Sequence, residues 1–200
     1  MVDKWDSIYA ELLYLAPVPH EEWLVFQALC RPITLRKGEY YMKQGEIADR
    51  MGFCLRGLFR VHASTRDGKQ LTQGFLGAGG FAASYSSMLQ VAPSLQTIEA
   101  LSDSTVVSIT YKDFQSLYDR NVCWERLGRR LAEGLLVRKE LRERELLLPP
   151  DQRVQLFDSK YGHLASQIPA EQVASCLGMS SASLARIREK QAGAAEMVLG

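Results

Sequence analysis

Residues 33–110 leave no room for a long helix. Short β-prone runs (ITL, YYM, FCL, LFRVHAS, LTQGFL and TVVSIT) are separated by Gly38, Gly45, Gly57 and Gly74. The Asp67-Gly68 pair between LFRVHAS and KQLTQGFL predicts a hairpin closed by a type I′ turn, because that turn needs positive φ. Many short strands with glycine turns predict a sandwich or barrel, here a small jelly roll.

The flanks follow a different period. Trp5, Ile8, Leu12 and Leu15 recur at helical spacing, Pro17 and Pro19 interrupt, and Trp23, Phe26 and Leu29 resume it. After Tyr111 the helical pattern returns: a short segment over 112–120, then a long one capped by Asn121 and ending before Pro149-Pro150. Trp124, Leu127, Leu131, Leu135 and Leu141 form its apolar stripe, with Glu, Arg and Lys on the other positions. Such a helix packs on its own β-domain or pairs with a second copy. Its length and dense charge favour pairing, so these five residues are expected at a dimer interface. The chain thus divides into a β-roll with N-terminal helices (1–120), a dimerisation helix (121–148) and a small helical unit (149–200), an α+β two-domain architecture.

The most informative stretch is IPAEQVASCLGMSSASLARIREK. Ala174, Leu177, Met179, Leu184 and Ile187 occupy the apolar positions of a helix-turn-helix, and Ala174 is small enough for two helices to approach closely. Gly178 suits the left-handed position ending the first helix, and Ser180 suits the N-cap of the second. In such units the second helix enters the major groove. That reading assigns DNA contact to Ser180, Ser181, Ser183, Arg186, Arg188 and Lys190, with Arg186 the leading candidate. The competing reading is an ordinary helical hairpin in a core. The preceding helix and a dimerising segment favour the DNA reading, because a two-fold protein reads two half-sites.

The glycine pattern KGEYYMKQGEIADRMGFCLRG, the hairpin TRDGKQLTQGFL and the tail DQRVQLF…IPAEQVASCLGMSSASLARIREK together resemble bacterial regulators of the cAMP receptor protein and fumarate-nitrate regulator (Crp/Fnr) type, over roughly residues 20–190. The resemblance implies a cyclic-nucleotide-binding-like β-roll, a dimerising helix and a DNA-binding helix-turn-helix. It also implies a β-hairpin wing after the recognition helix, but QAGAAEMVLG holds no β-prone run, so that wing is expected to be absent or minimal. Ser181-Ala182 stands where well-studied members often carry Arg-Glu or Pro-Glu.

In members that bind cAMP, a cassette F-x-G-E, about ten residues, then R-S/T-A grips the nucleotide. Ungapped alignment from Phe81 puts Ala83 at the glycine, Ser84 at the glutamate, Ser94 at the arginine and Leu95 at the serine. Losing two charge-assisted hydrogen bonds, at about 1.5–3 kcal/mol each, costs roughly 10² to 10⁴ in affinity, so tight cAMP binding is not expected. Two readings stay open. The pocket takes a less charged effector, with Phe81, Ala83, Ser84, Tyr85, Met88, Ser94, Leu95 and Thr97 as lining candidates; or the loop is packed shut, with Leu95 in the anion's place.

Other chemistries find little support. The histidines, His20, His62 and His163, lie in different elements, so no metal site or catalytic residue is assigned; His62 reads as a satisfied sheet residue. Cys30, Cys54, Cys123 and Cys176 form no CxxC pair and read as buried free thiols. No cofactor is implied, and the effector is unassigned. The N-terminus lacks the basic and apolar regions of a signal peptide, and no run reaches the roughly 20 apolar residues of a membrane span. The expected protein is a cytoplasmic homodimer acting on double-stranded DNA, with RNA polymerase and a small-molecule effector as further candidate partners and no membrane. The alternative is an effector-binding or protein-interaction module whose helix-turn-helix no longer reads DNA.

Overall fold

The computed structural model describes residues 4–199, with side chains over 5–193; residues 1–3 and 200, and the side chains of the terminal AAEMVLG, lie outside the described residues. Two helices, α1 (Lys4–Leu15) and α2 (His20–Leu29), lead into eight strands: β1 (Arg31–Leu35), β2 (Tyr40–Met42), β3 (Arg50–Arg56), β4 (Phe59–Ser64), β5 (Gln70–Leu76), β6 (Phe81–Ala82), β7 (Thr97–Ala100) and β8 (Ser104–Thr110). A short helix, α3 (Tyr85–Gln90), separates β6 from β7. The strands form two antiparallel four-stranded sheets, ordered β1-β8-β3-β6 and β2-β7-β4-β5. Then come α4 (Tyr111–Ser116), the long α5 (Val122–Leu146), α6 (Pro150–Tyr161), a 3₁₀ segment (Gly162–Gln167), α7 (Ala170–Cys176) and α8 (Ser181–Leu199).

Alternation along the strands sends Phe59, Val61, Ile98 and Ala100 into the core, where they pack with Met51, Phe53, Val106, Val107 and Ile109. Arg60, His62, Thr97 and Glu99 occupy the alternate positions and face outward on the second sheet; the register pairs Arg60 with Glu99 and His62 with Thr97. The hairpin between β4 and β5 is not closed by a type I′ turn. Gly68 N–H donates to the Thr65 carbonyl, and only Gly68 carries a positive φ, of 81°. Type I′ would force Asp67 there too, so the chain closes with a type I turn and a left-handed glycine instead.

The first half of α5 belongs to the roll. Rings of Tyr9, Trp23, Phe26 and Trp124 stack in succession, with centroids 4.9, 5.6 and 5.4 Å apart. Trp124 Nε1–H donates to buried Glu22 at 2.8 Å, and Arg120 lies 3.5 Å from the same carboxylate. Leu127 and Leu131 are buried in this core, and Leu135 packs against it. This corrects the expected dimer stripe: Trp124, Leu127 and Leu131 are covered by α1, α2 and the sheets of their own chain. The exposed apolar side chains of α5 are Val122, Leu136, Val137, Leu141 and Leu146, so of the expected five Leu141 is exposed and Leu135 half-buried.

A second core joins Val154, Phe157, Ile168, Val173, Ala174, Leu177 and Leu184 to Leu58 and Phe75 of the roll. Phe75 meets Phe157 and Tyr161 edge-on. The Ser175 hydroxyl accepts from Thr72 N–H at 3.0 Å and donates to the Gln70 carbonyl at 3.3 Å, tying α7 to the edge strand β5.

Candidate functional site

Three regions carry the residues of interest. The first is the uncharged loop around α3. Ser84 and Ser94 face each other across it, both buried, with their oxygens 2.8 Å apart. Ser94 Oγ–H donates to the Gln96 carbonyl, so Ser84 supplies the proton between the two hydroxyls. Gln96 Nε2 donates to the Ala83 carbonyl at 3.1 Å, and the Ser94 backbone exchanges two bonds of 2.8 Å with Gly45 and Glu46. The two hydroxyls therefore satisfy one another. Leu95 does not fill an anion's place: it is 74% exposed, because the Ser94 hydrogen bonds turn the chain so that the next side chain points to solvent. Phe81 packs on Phe53 at 5.2 Å, Met88 is buried in the core, and Tyr85 meets Tyr111 edge-on at 6.4 Å. Thr97 lies on the sheet's outer face and accepts from Gln44 N–H. The expected lining residues are thus split between the core, the solvent and the outer face. Val91 closes α3 at φ 49°, a left-handed conformation costly for a β-branched residue.

The second region is the α7–α8 unit. Gly178 adopts φ 64°, and Met179 N–H reaches back to the Ala174 carbonyl, the bond of a Schellman end. Arg142 of α5 and Arg153 of α6 donate to the Cys176 and Leu177 carbonyls, answering groups left open at the helix end. Ser180 caps α8 by accepting from Ser183 N–H at 3.2 Å. Leu184 is buried and Ile187 half-buried, whereas Ser181, Ala182, Ser183, Arg186 and Lys190 are exposed. Arg188 instead turns to Asp158 of α6 at 3.3 Å. Helix α8 runs on to Leu199; residues 192 and 194–197 are mostly good helix formers.

The third region was not visible in the sequence. On the outer face, Glu99 Oε2 lies 3.7 Å from Arg60 Nη1 and 3.5 Å from His62 Nε2. Arg60 also donates to Thr72 and Gln70. His62 is not satisfied as a sheet residue: it is 2% exposed, and neither ring nitrogen has a hydrogen-bond partner. Its sequence signal is a lone histidine, whose environment depends on strand register. Burial first, then the Arg60 charge, pushes its pKa from 6.5 down to about 4. Between those values the unfolded chain binds a proton that the folded chain refuses. Stability is therefore complete above pH 6.5 and falls with decreasing pH, with a slope approaching about 1.4 kcal/mol per unit. Denaturant titrations at pH 4.5 and 7 should show a smaller loss for His62→Gln; equal losses in both proteins would refute this account.

Among the described residues, no group of three or more His, Cys, Asp or Glu is placed to hold a metal, and no helix is long and apolar enough to cross a membrane. Cys30, Cys54, Cys123 and Cys176 are buried free thiols, and burial pushes the Cys30 thiol up to about 12.

Residues 32–121 match the cyclic nucleotide-binding domain family. No curated protein matches the chain in sequence. Among solved structures, FixK2 from Bradyrhizobium japonicum superposes with a TM-score of 0.72 at 19% identity, over 83% of this chain and 86% of that one. The c-di-GMP-responsive global regulator CLP of Xanthomonas campestris gives 0.65 at 16% identity, over 88% and 93%. The catabolite activator protein of Thermus thermophilus gives 0.57 at 19% identity, over 92% and 88%. Residues 32–121 thus resemble a cyclic nucleotide-binding domain, in a chain that shares the fold of FixK2, CLP and the catabolite activator protein.

Proposed function

We propose that the chain is a homodimeric, cytoplasmic transcription regulator that reads double-stranded DNA with α8. The exposed first two turns of α8 carry this reading. Ser181, Ser183 and Arg186 stand outward there, while Leu184 and Ile187 hold the helix to α6 and α7. Arg186 has no ion-pair partner among the described residues, so its guanidinium is free for a base edge or phosphate. Arg188 serves first as the strut to Asp158, and Lys190 suits phosphate contact.

In this reading residues 1–120 are the sensor, 121–148 the dimerising helix and 149–200 the DNA-binding unit. Pairing uses the distal half of α5, where Val137 and Leu141 are exposed one turn apart. Arg186→Ala should abolish specific retardation of a promoter fragment while the dimer persists, and wild-type binding should weaken steeply with salt. Unchanged retardation would favour the second reading, an effector or interaction module.

The closed Ser84–Ser94 pair supports weak cyclic-nucleotide binding. Calorimetry with cAMP should give no dissociation constant below about 10 μM; a tighter one would show that the loop opens and finds other donors.

A further inference from the structure

Helix α5 carries two glycines, and the fold of its own chain explains one of them. At Gly128 a Cβ would collide with the Tyr118 hydroxyl, so the glycine lets the turn after α4 pack on α5. Gly134 has no such neighbour. It lies in regular helix without a left-handed φ. Outside the helix's own backbone, no described atom comes within 4 Å of where its Cβ would stand. A glycine inside a helix weakens it about fivefold in its equilibrium relative to alanine. Folding of a single chain would therefore favour a side chain here.

The surroundings of Gly134 on the helix surface point to what uses the space. Val137 and Leu141 follow it at three and seven residues, on one stripe, and both are exposed. This stripe lies about a quarter-turn round α5 from the face that Trp124, Leu127 and Leu131 bury. A helix laid along it would run beside the roll and leave the core intact. Arg130, one turn before Gly134, is turned to Glu133 at 3.6 Å, so its charge is answered within α5. The stripe is self-complementary: a gap can face a gap, and apolar side chains can face their own copies. It offers no net charge to a charged partner.

We propose that Gly134 is the crossing point of two copies of α5. The backbones touch there, and Val137 and Leu141 of each copy pack against the other. Side chains at a crossing normally hold helix axes about 8–10 Å apart. Glycine removes that spacer and brings the flanking apolar pairs into contact. The pair is isologous, with the same stripe used on both copies, so one glycine per chain is enough. The proposal rests on the dimeric reading above and adds which side of α5 pairs and where the axes meet. Leu136, nearly opposite Gly134 on the helix, stays outside the seam.

Sedimentation and thermal melts of the full chain supply the test. Gly134→Leu should raise the dimer dissociation constant about ten- to a hundredfold. Melted at dilutions where both proteins are monomeric, it should be as stable as the wild type or more so, because its own chain leaves the space open. Under mild oxidation Gly134→Cys should link two copies, since a disulfide needs Cα atoms within about 7 Å, and Leu136→Cys should not. The native cysteines are buried. If Gly134→Leu pairs as tightly as the wild type while Leu141→Glu comes apart, the crossing point is overturned and the pairing of distal α5 stands. Linking through Leu136→Cys but not Gly134→Cys would also overturn it, by putting the seam on the other side. A wild-type chain that stays monomeric at about 100 μM overturns both the crossing and the dimeric reading.

Discussion

Trp124→Ala is expected to lower folding stability by about 3–5 kcal/mol, at every protein concentration. The indole is fully buried, stacks on Phe26 at 5.4 Å and donates to Glu22. Its removal opens a cavity between α2 and α5 and leaves a buried carboxylate short of a donor. Leu141→Glu should do the opposite. That side chain is 50% exposed, so the fold should change by less than about 0.5 kcal/mol, whereas a self-association that uses the distal half of α5 should fail. Denaturant melts combined with sedimentation separate the two effects. If Trp124→Ala yielded stable monomers and Leu141→Glu left the mass unchanged, the stripe on the proximal half would be the interface after all.

Gly57→Ala should cost about 2–5 kcal/mol, from two sources that a second variant separates. The residue sits at φ 104°, and an added Cβ would lie 2.0 Å from Ser104 Oγ and 2.7 Å from Ser104 Cα. Backbone cannot yield as a flexible side chain can, so β8 or the β3–β4 turn must shift, at about 1–3 kcal/mol. The left-handed conformation adds about 1–2 kcal/mol for any residue with a Cβ. Gly38 has a similar φ of 87° but nothing within 4 Å, so Gly38→Ala should show the conformational part alone. Equal losses in thermal or denaturant melts would eliminate the clash with Ser104.

How legible each feature was in the sequence follows from the range of the interactions that fix it. The end of α7 and the start of α8 are local matters. Gly178 is needed for one dihedral angle, Ser180 for one hydrogen bond, and both were readable from their neighbours. The jelly roll was legible for a similar reason, since glycine turns and β-prone runs constrain each segment separately. The partner of an apolar stripe is not local. The Trp124–Leu131 periodicity fits a partner helix or the chain's own core, and the choice was made by Phe26 and Glu22, about a hundred residues earlier in the chain. Strand β7 went unread because TIEA is short and half polar; its pairing with β2 and β4 gives it identity. Helix α3 hid in a loop whose serines and glycines suggested turns.

The loop shows the limit most clearly. Its sequence lacks the charged clamp that the resemblance to cAMP-binding regulators would imply, but does not say what stands there instead. The structure answers with two hydroxyls that satisfy each other, a relation between side chains ten positions apart that composition cannot express. The outer face was less legible still. His62 acquires its orphaned nitrogens only from the simultaneous placement of β4, β5 and β7.

Ser175 has a further consequence, for solubility. Strand β5 is one of the two edges of its sheet, and such edges can recruit strands from other molecules. The hydroxyl on α7 occupies Thr72 N–H and the Gln70 carbonyl, while Phe157 and Tyr161 shield Phe75 beside them. Any motion that swung these helices outward would uncover a ready template for intermolecular β-pairing, with exposed Leu71 between the two freed groups. The freedom of the C-terminal helices to move is therefore bounded by the chain's need to stay out of aggregates.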